Sequence, residues 1–144
     1  MHKTSGEIEL SIAPPSAEEY RELMRSVGFT AFSADAAAKS LERSFFTVSL
    51  RKAGALVGMG RLIGDGVCFV EVVDVAVAPD YQRQGLGRRI MEALMAHANA
   101  ELAEGAFVSL SAHVPANRLY AGFGFVETAP EAVGMVYRVG GADS

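Results

Sequence analysis

The sequence predicts an α/β fold of the mixed (α+β) kind, with a mixed, mostly antiparallel sheet flanked by helices. Three observations carry that prediction. Residues 45–51, 56–63 and 67–78 are strand-like apolar runs joined by Lys52-Ala53-Gly54 and Gly64-Asp65-Gly66, which reads as an antiparallel meander. Residues 86–102 set Ile90, Met91, Leu94, Met95 and Ala98 at helical spacing. The elements before and after run strand, helices, then helix and strand units, an order foreign to all-helical and all-strand proteins.

Each remaining element has its own signal. Ile8, Leu10 and Ile12 alternate with polar residues, as in a half-buried strand, until Pro14-Pro15 stops it. Ser16 stands three residues before Glu19, the spacing of a capping box. Tyr20, Leu23, Met24 and Val27 then follow at helical spacing, and Gly28 closes the helix. A second helix is expected from near Ser33 through Ala36 to Leu41. Residues 106–111 read as a strand, and Pro115 opens a short helix reaching about Ala121. Residues 123–127 and 133–139 read as the last two strands. The tail, residues 140–144, is small and polar and is expected to be mobile.

Composition narrows the class. A chain of 144 residues fits one domain, spanning 1–144, with no linker or repeat to divide it. Half of its residues are hydrophobic, enough for a core without covalent staples. A single cysteine excludes an internal disulfide, and three scattered histidines make no metal constellation. A net charge of −4 argues against nucleic acid as a partner. No run approaches the roughly 18–20 apolar residues of a membrane span, and the polar first ten residues carry no export signal. A cytoplasmic protein with no membrane partner is the expectation.

The most informative stretch is Asp74-Val75-Ala76-Val77-Ala78-Pro79-Asp80-Tyr81-Gln82-Arg83-Gln84-Gly85-Leu86-Gly87-Arg88-Arg89. A buried strand runs into a loop with two glycines one residue apart, then into an amphipathic helix. The helix N-terminus offers unpaired N–H groups and the positive end of its dipole to an anion. Glycines let a ligand approach the backbone, and Arg83, Arg88 and Arg89 add charge. Turn-making glycines and solvated arginines would explain each residue singly; their coincidence points to a phosphate or pyrophosphate. The P-loop triplet Gly-Lys-Ser/Thr is absent, and Ile90 stands where a dinucleotide fingerprint needs its third glycine.

Gln82-x-x-Gly85-x-Gly87 resembles the acetyl-coenzyme A signature of the GNAT superfamily of N-acetyltransferases. Val75-Ala76-Val77-Ala78-Pro79 is similar to that family's fourth strand, and Asn117-Arg118-Leu119-Tyr120-Ala121-Gly122-Phe123-Gly124-Phe125 to its Asn…Leu-Tyr…Gly-Phe stretch. The resemblance implies a GNAT-like twisted sheet splayed between its fourth and fifth strands, with acetyl-coenzyme A as cosubstrate in the gap. It implies that the pantetheine arm pairs with Val75 and Val77. The pyrophosphate would rest on the loop of Gln82, Arg83, Gln84, Gly85, Gly87 and Arg88, and Asn117 would touch the pantetheine. Transfer to a primary amine of a small acceptor by direct attack would follow, with no metal. A GNAT-like module that binds acyl-coenzyme A without catalysis, as a sensor or scaffold, is the alternative. A homodimer is compatible with the resemblance.

The chemistry needs a base for an amine protonated at neutral pH, and an acid for the leaving thiolate. Tyr120 matches the family tyrosine near the thioester sulfur and is the expected acid. Glu71 is the expected base by the resemblance, since several family members carry a glutamate at this place on the fourth strand. A carboxylate in an apolar strand is costly unless exposed or paired, and a solvent-facing charge is the alternative. Strict alternation puts Glu71, Val73 and Val75 on one face and Asp74 on the other, unless a bulge breaks the parity. Asp74 is the rival base or an anchor for the substrate amine, and ordered water a third route. Phe29 and Phe32 are expected to line the acceptor wall. His97 is expected on the exposed side of its helix, and Cys68 in the core as a small hydrophobe.

Overall fold

The computed structural model of the chain describes residues 7–140. They divide into two units, Met1–Leu110 and Ser111–Ser144. All of the tail expected at residues 140–144 except Gly140 lies outside the described residues.

The first unit carries β1 (Ile8–Ser11), α1 (Ala17–Ser26), α2 (Ala34–Glu42), β2 (Phe46–Lys52), β3 (Ala55–Gly64), β4 (Phe69–Val77), a 3-10 turn (Pro79–Tyr81), α3 (Leu86–Glu101) and β5 (Phe107–Ser109). The strands form one sheet in the order β1-β2-β3-β4-β5. Neighbours are antiparallel except for the parallel β4/β5 pair.

Local chemistry sets the boundaries. Ser16 Oγ accepts from the Glu19 N–H at 3.1 Å while Glu19 Oε1 accepts from the Ser16 N–H at 3.0 Å, so α1 opens on the expected capping box. Ser33 caps α2 in the same manner, accepting from the Ala36 N–H. Ala53 and Gly54 both have positive φ, 51° and 86°, the two-residue turn whose twist suits an antiparallel hairpin. The third meander strand begins later than its apolar pattern. Asp65 Oδ1 accepts from the N–H groups of Val67, Cys68 and Phe69 at 2.7, 2.8 and 3.0 Å, holding them in a turn. Cys68 is exposed there instead of buried.

The sheet is covered on both faces. On one, Met59 and Ala76 pack with Tyr20, Leu23, Met24, Ala37 and Leu41 from α1 and α2. On the other, α3 lies so close that a Cβ on Gly60 would stand 2.7 Å from Ile90 Cγ2 and 3.0 Å from Leu94 Cδ1. Only a residue without a side chain permits that approach. Ile90, Met91 and Leu94 are fully buried. His97 is partly buried, stacked on Phe46 with ring centroids 3.8 Å apart and planes 5° from parallel.

Two irregularities shape β4. Arg61 pairs with Val73 and Met59 with Ala76, so Asp74 and Val75 together oppose Gly60. That bulge takes Asp74 to φ 58° and shifts the alternation by one. Secondly, β5 pairs with only three residues of β4, and Glu71↔Ser109 is the last rung. Beyond it, residues 72–77 of β4 have β3 on one side and no strand on the other among the described residues. This is the expected splay between the fourth and fifth strands.

The second unit contains α4 (Asn117–Ala121). The strands expected at residues 123–127 and 133–139 do not form. Alternation prepares a strand, but its main-chain groups still need a ladder partner, and these residues have none among the described ones. Val126, Val133, Met135, Val136, Tyr137 and Val139 are exposed.

Candidate active site

The bulge decides which side chains share a face. Val75 Cγ2 lies 3.3 Å from a Cβ built on Gly60, beside Ile90 and Leu94, so Val75 faces α3. Asp74 points to the opposite face, where its Oδ2 accepts from Tyr20 Oη at 2.8 Å and from Arg61 Nε and Nη2 at 3.0 and 2.7 Å. Glu71 pairs with Ile63, two residues from Arg61 along β3, and therefore shares that α1/α2 face. Strict alternation sets Glu71 and Asp74 on opposite faces; the bulge unites them.

Their surroundings differ. Arg61 is 6% exposed at its side chain. Its Nη1 also donates to Ser40 O, Ser40 Oγ and Ser44 Oγ at 3.1, 3.2 and 2.9 Å. The guanidinium thus joins the end of α2 to the bulge, with its plane near the Tyr20 ring (5.6 Å to the centroid). Burial, reinforced by the Asp74 carboxylate, pushes the Tyr20 hydroxyl up to about 12. Glu71 is exposed. It borders a pocket of about 270 Å3 with Ile63, Phe69, Phe107 and Ser109. It stands at the rung where β4 and β5 part.

The loop after β4 holds the second cluster. Gln82 Nε2 donates to Val77 O at 2.9 Å, tying the loop back to the strand end. Arg83 and Gly85 both adopt positive φ, 66° and 81°. Gly85 is the N-cap of the 16-residue α3 and no side chain caps it. The helix ladder begins with the Arg89 N–H donating to Gly85 O at 3.1 Å. Among the described residues, the N–H groups of Arg83, Gln84, Gly85, Leu86 and Gly87 meet no acceptor. A Cβ on Gly85 would touch nothing within 4 Å, so the space over these amides is open. Two left-handed residues in a run of open main-chain amides are the kind of backbone from which anion-binding concavities are made. The helix dipole favours an anion there too. Arg83, Gln84 and Arg88 are exposed. Arg89 departs from the expected cluster: its Nη1 donates to Ile8 O at 2.8 Å.

The other expected site residues are placed as follows. Phe29 and Phe32 lie between α1 and α2, 42% and 62% exposed, and Phe32 O accepts from Arg21 Nε. In the second unit, Asn117 Nδ2 donates to Glu127 Oε2 at 3.1 Å. Tyr120 is half-buried and meets Phe125 edge-on, with centroids 6.3 Å apart. Burial pushes its hydroxyl above the ordinary phenol value. Sequence reasoning missed Arg61 and the hydroxyl of Tyr20. A lone arginine inside an apolar strand, across a meander from Asp74, was the available signal. No group of three or more His, Cys, Asp or Glu fit to hold a metal occurs among the described residues. Nor, among them, is any helix long and apolar enough to cross a membrane.

A strand freed from its neighbour and running into an uncapped, glycine-opened helix defines the frame of a GNAT acyltransferase. A family model described as an acetyltransferase (GNAT) domain matches residues 16–136, and the chain belongs to that family. A Staphylococcus aureus structure described as a protein of unknown function and probable acetyltransferase is 38% identical. The match covers 92% of this chain and 99% of that one, with a TM-score of 0.87. A GNAT family acetyltransferase from Streptococcus pneumoniae is 26% identical over 92% of this chain and 98% of its own, with a TM-score of 0.75. Glucosamine-6-phosphate N-acetyltransferase from Arabidopsis thaliana has the same fold at 15% identity, with 91% and 99% covered and a TM-score of 0.67. No curated protein matches the chain.

Proposed function

We propose that this chain transfers an acetyl group from acetyl-coenzyme A to a primary amine of a small acceptor, by direct attack and without a metal. The observation that carries the proposal is the open, uncapped N-terminus of α3 at the end of β4. The donor set fits a pyrophosphate: main-chain amides of residues 83–87 and the charge of Arg83 and Arg88. Acetyl-coenzyme A, when bound, supplies the activated acetyl thioester.

The chain's own residues then have the following parts. Gln82, Arg83, Gln84, Gly85, Gly87 and Arg88 hold the diphosphate. Val75 and Val77 offer main-chain groups along the open edge of β4, as a sheet edge receives an added strand. Because Gln82 already donates to Val77 O, that carbonyl shares itself between the side chain and any ligand. Asn117 binds the pantetheine arm. Glu71 takes the amine proton, directly or through water, as the C–N bond forms. Tyr120 returns a proton to the sulfur as the C–S bond breaks. Asp74 is a weaker candidate for the base, since three donors already converge on its Oδ2. Within this reading Asp74 holds the bulge, and any anchoring of the acceptor amine falls to its Oδ1. Phe29 and Phe32 supply apolar wall to the acceptor. A single domain and a cytoplasmic location are part of the same reading.

Calorimetric titration of coenzyme A into the folded chain tests the frame, and thiol release from acetyl-coenzyme A against a panel of amines tests the chemistry. The proposal expects binding and amine-dependent release. Binding with no release under any amine would leave an acyl-coenzyme A sensor or scaffold instead. No binding would remove both readings.

A further inference from the structure

α1 and α2 pack over Met59 and Ala76, toward the C-terminal end of β4. Nearer the start of β4, Ile63, Phe69, Glu71, Phe107 and Ser109 share that same face, through the pairings Ile63↔Glu71, Phe69↔Phe107 and Glu71↔Ser109. They line the pocket of about 270 Å3, just under the roughly 300 Å3 at which sites for drug-sized ligands begin. Its floor is aromatic. Phe69 and Phe107 stack with centroids 5.7 Å apart and planes 13° from parallel, yet stand 63% and 67% exposed. Two adjoining phenyl rings left in water are a ready seat for a third.

Charge in the pocket is sparse. Glu71 is the only charged side chain among the lining residues, and Arg61, farther along the same face, is already held by Asp74. Along β4 the order is Phe69, then Glu71 at the last rung with β5, then the open edge of residues 72–77. Residues two apart on a strand lie about 7 Å from each other, the reach of a ring and a short alkyl arm. A ligand whose ring rests on the two phenyls therefore brings a cationic end to Glu71, at the mouth of the split.

We infer that the acceptor is a small monoamine carrying an aromatic ring on a short alkyl arm, its ring seated on Phe69 and Phe107 and its ammonium against Glu71. The inference rests on the acetyl-transfer reading and names the class of amine that the site takes. Other amines lack partners there. The second ammonium of a polyamine finds no second carboxylate among the lining residues, and the hydroxyls of an amino sugar meet phenyl rings. The carboxylate of an amino acid meets Glu71, with no lining cation to offset the repulsion.

Saturation-transfer NMR with 2-phenylethylamine and the full chain reads the seat without catalysis, and acetylation rates read the class. Transfer strongest at the ring protons is expected, lost in Phe107→Ala and reduced in Glu71→Gln, with the circular dichroism of both variants unchanged. Phe107→Leu, which keeps apolar bulk on β5, should lose it likewise. The kcat/KM for 2-phenylethylamine should exceed those for n-butylamine, putrescine and glucosamine by about tenfold, and Phe107→Ala should erase the advantage over n-butylamine. Absence of saturation transfer, or transfer indifferent to both Phe107 variants, would overturn the inference. So would a preference for putrescine, glucosamine or n-butylamine, an outcome that leaves acetyl transfer standing. A chain that binds no coenzyme A would instead remove acetyl transfer itself, and the acceptor with it.

Discussion

Asp74 and Arg61 meet across the β4 bulge, with Arg61 Nη2 2.7 Å from Asp74 Oδ2. The pair is partly buried, the arginine more deeply than the carboxylate. It is fixed further by Tyr20 on one side and by Ser40 and Ser44 on the other. It therefore joins α1, the end of α2, β3 and β4 at one point, next to the edge that the proposed ligand would use.

Asp74→Asn isolates the charge in that junction, because asparagine tolerates the left-handed backbone that Asp74 adopts. A buried guanidinium left without its counter-charge costs about 3 kcal/mol. Urea denaturation should register a loss of that order, with the m-value unchanged. A loss below about 0.5 kcal/mol, the size of an ordinary surface substitution, would mean that water already screens the pair.

Acid sensitivity should trace to Glu19. Its carboxylate accepts from Arg51 Nη1 and Nη2 at 2.8 and 2.9 Å and from the Ser16 N–H. Those donors, Arg51 first, lower it from 4.5 to about 2. The folded value lies below the unfolded one, so the stabilisation is fully present above about pH 4.5 and fades as pH falls toward 2. Urea midpoints of the wild type and Glu19→Gln should differ at pH 7 and converge across that window. Parallel curves would exclude the pair from acid unfolding.

Tyr120→Phe should lower kcat by about 100-fold, with the KM for acetyl-coenzyme A little changed, if its hydroxyl supplies the proton to sulfur. Because burial raises this phenol, the acid stays protonated past its usual range. Any basic limb due to Tyr120 should then lie above pH 10. Turnover equal to wild type at every pH would leave the tyrosine with packing alone.

Glu71→Gln should lower kcat by about 100-fold. Coenzyme A affinity should hold, since the carboxylate lies at the last rung of the β4/β5 pair, away from the loop. Turnover equal to wild type would shift the proton to water.

Gly85→Ala separates backbone from sterics. The new methyl meets nothing in the chain, but φ 81° is strained for alanine, costing about 1 kcal/mol. Coenzyme A affinity should fall roughly tenfold as the amides turn. Equal calorimetric affinity would show that the loop does not grip the ligand.

Much of this architecture is legible in the sequence where the signal is local. Ser16 and Glu19 announce α1, and Gly85-x-Gly87 announces the uncapped start of α3. The start of β4 is misread because apolar pattern extends to Val67, whereas Asp65 captures three amides there. The bulge is legible only as a contingency: a period-two pattern contains no mark for an inserted residue, and Asp74 reveals itself only through its partner Arg61. The segment from Val133 to Val139 has the alternation of a strand, but pairing depends on what lies opposite. No local property of seven residues encodes that.

The bare strand position at Gly60 has a mechanical meaning. With no methyl to act as a spacer, α3 beds directly on β3, and its amide tip is held at a set height above the neighbouring β4. A molecule anchored by its phosphates at that tip is measured off from there like cloth against a yardstick. How deep its far end reaches would then be decided by an atom this protein omits.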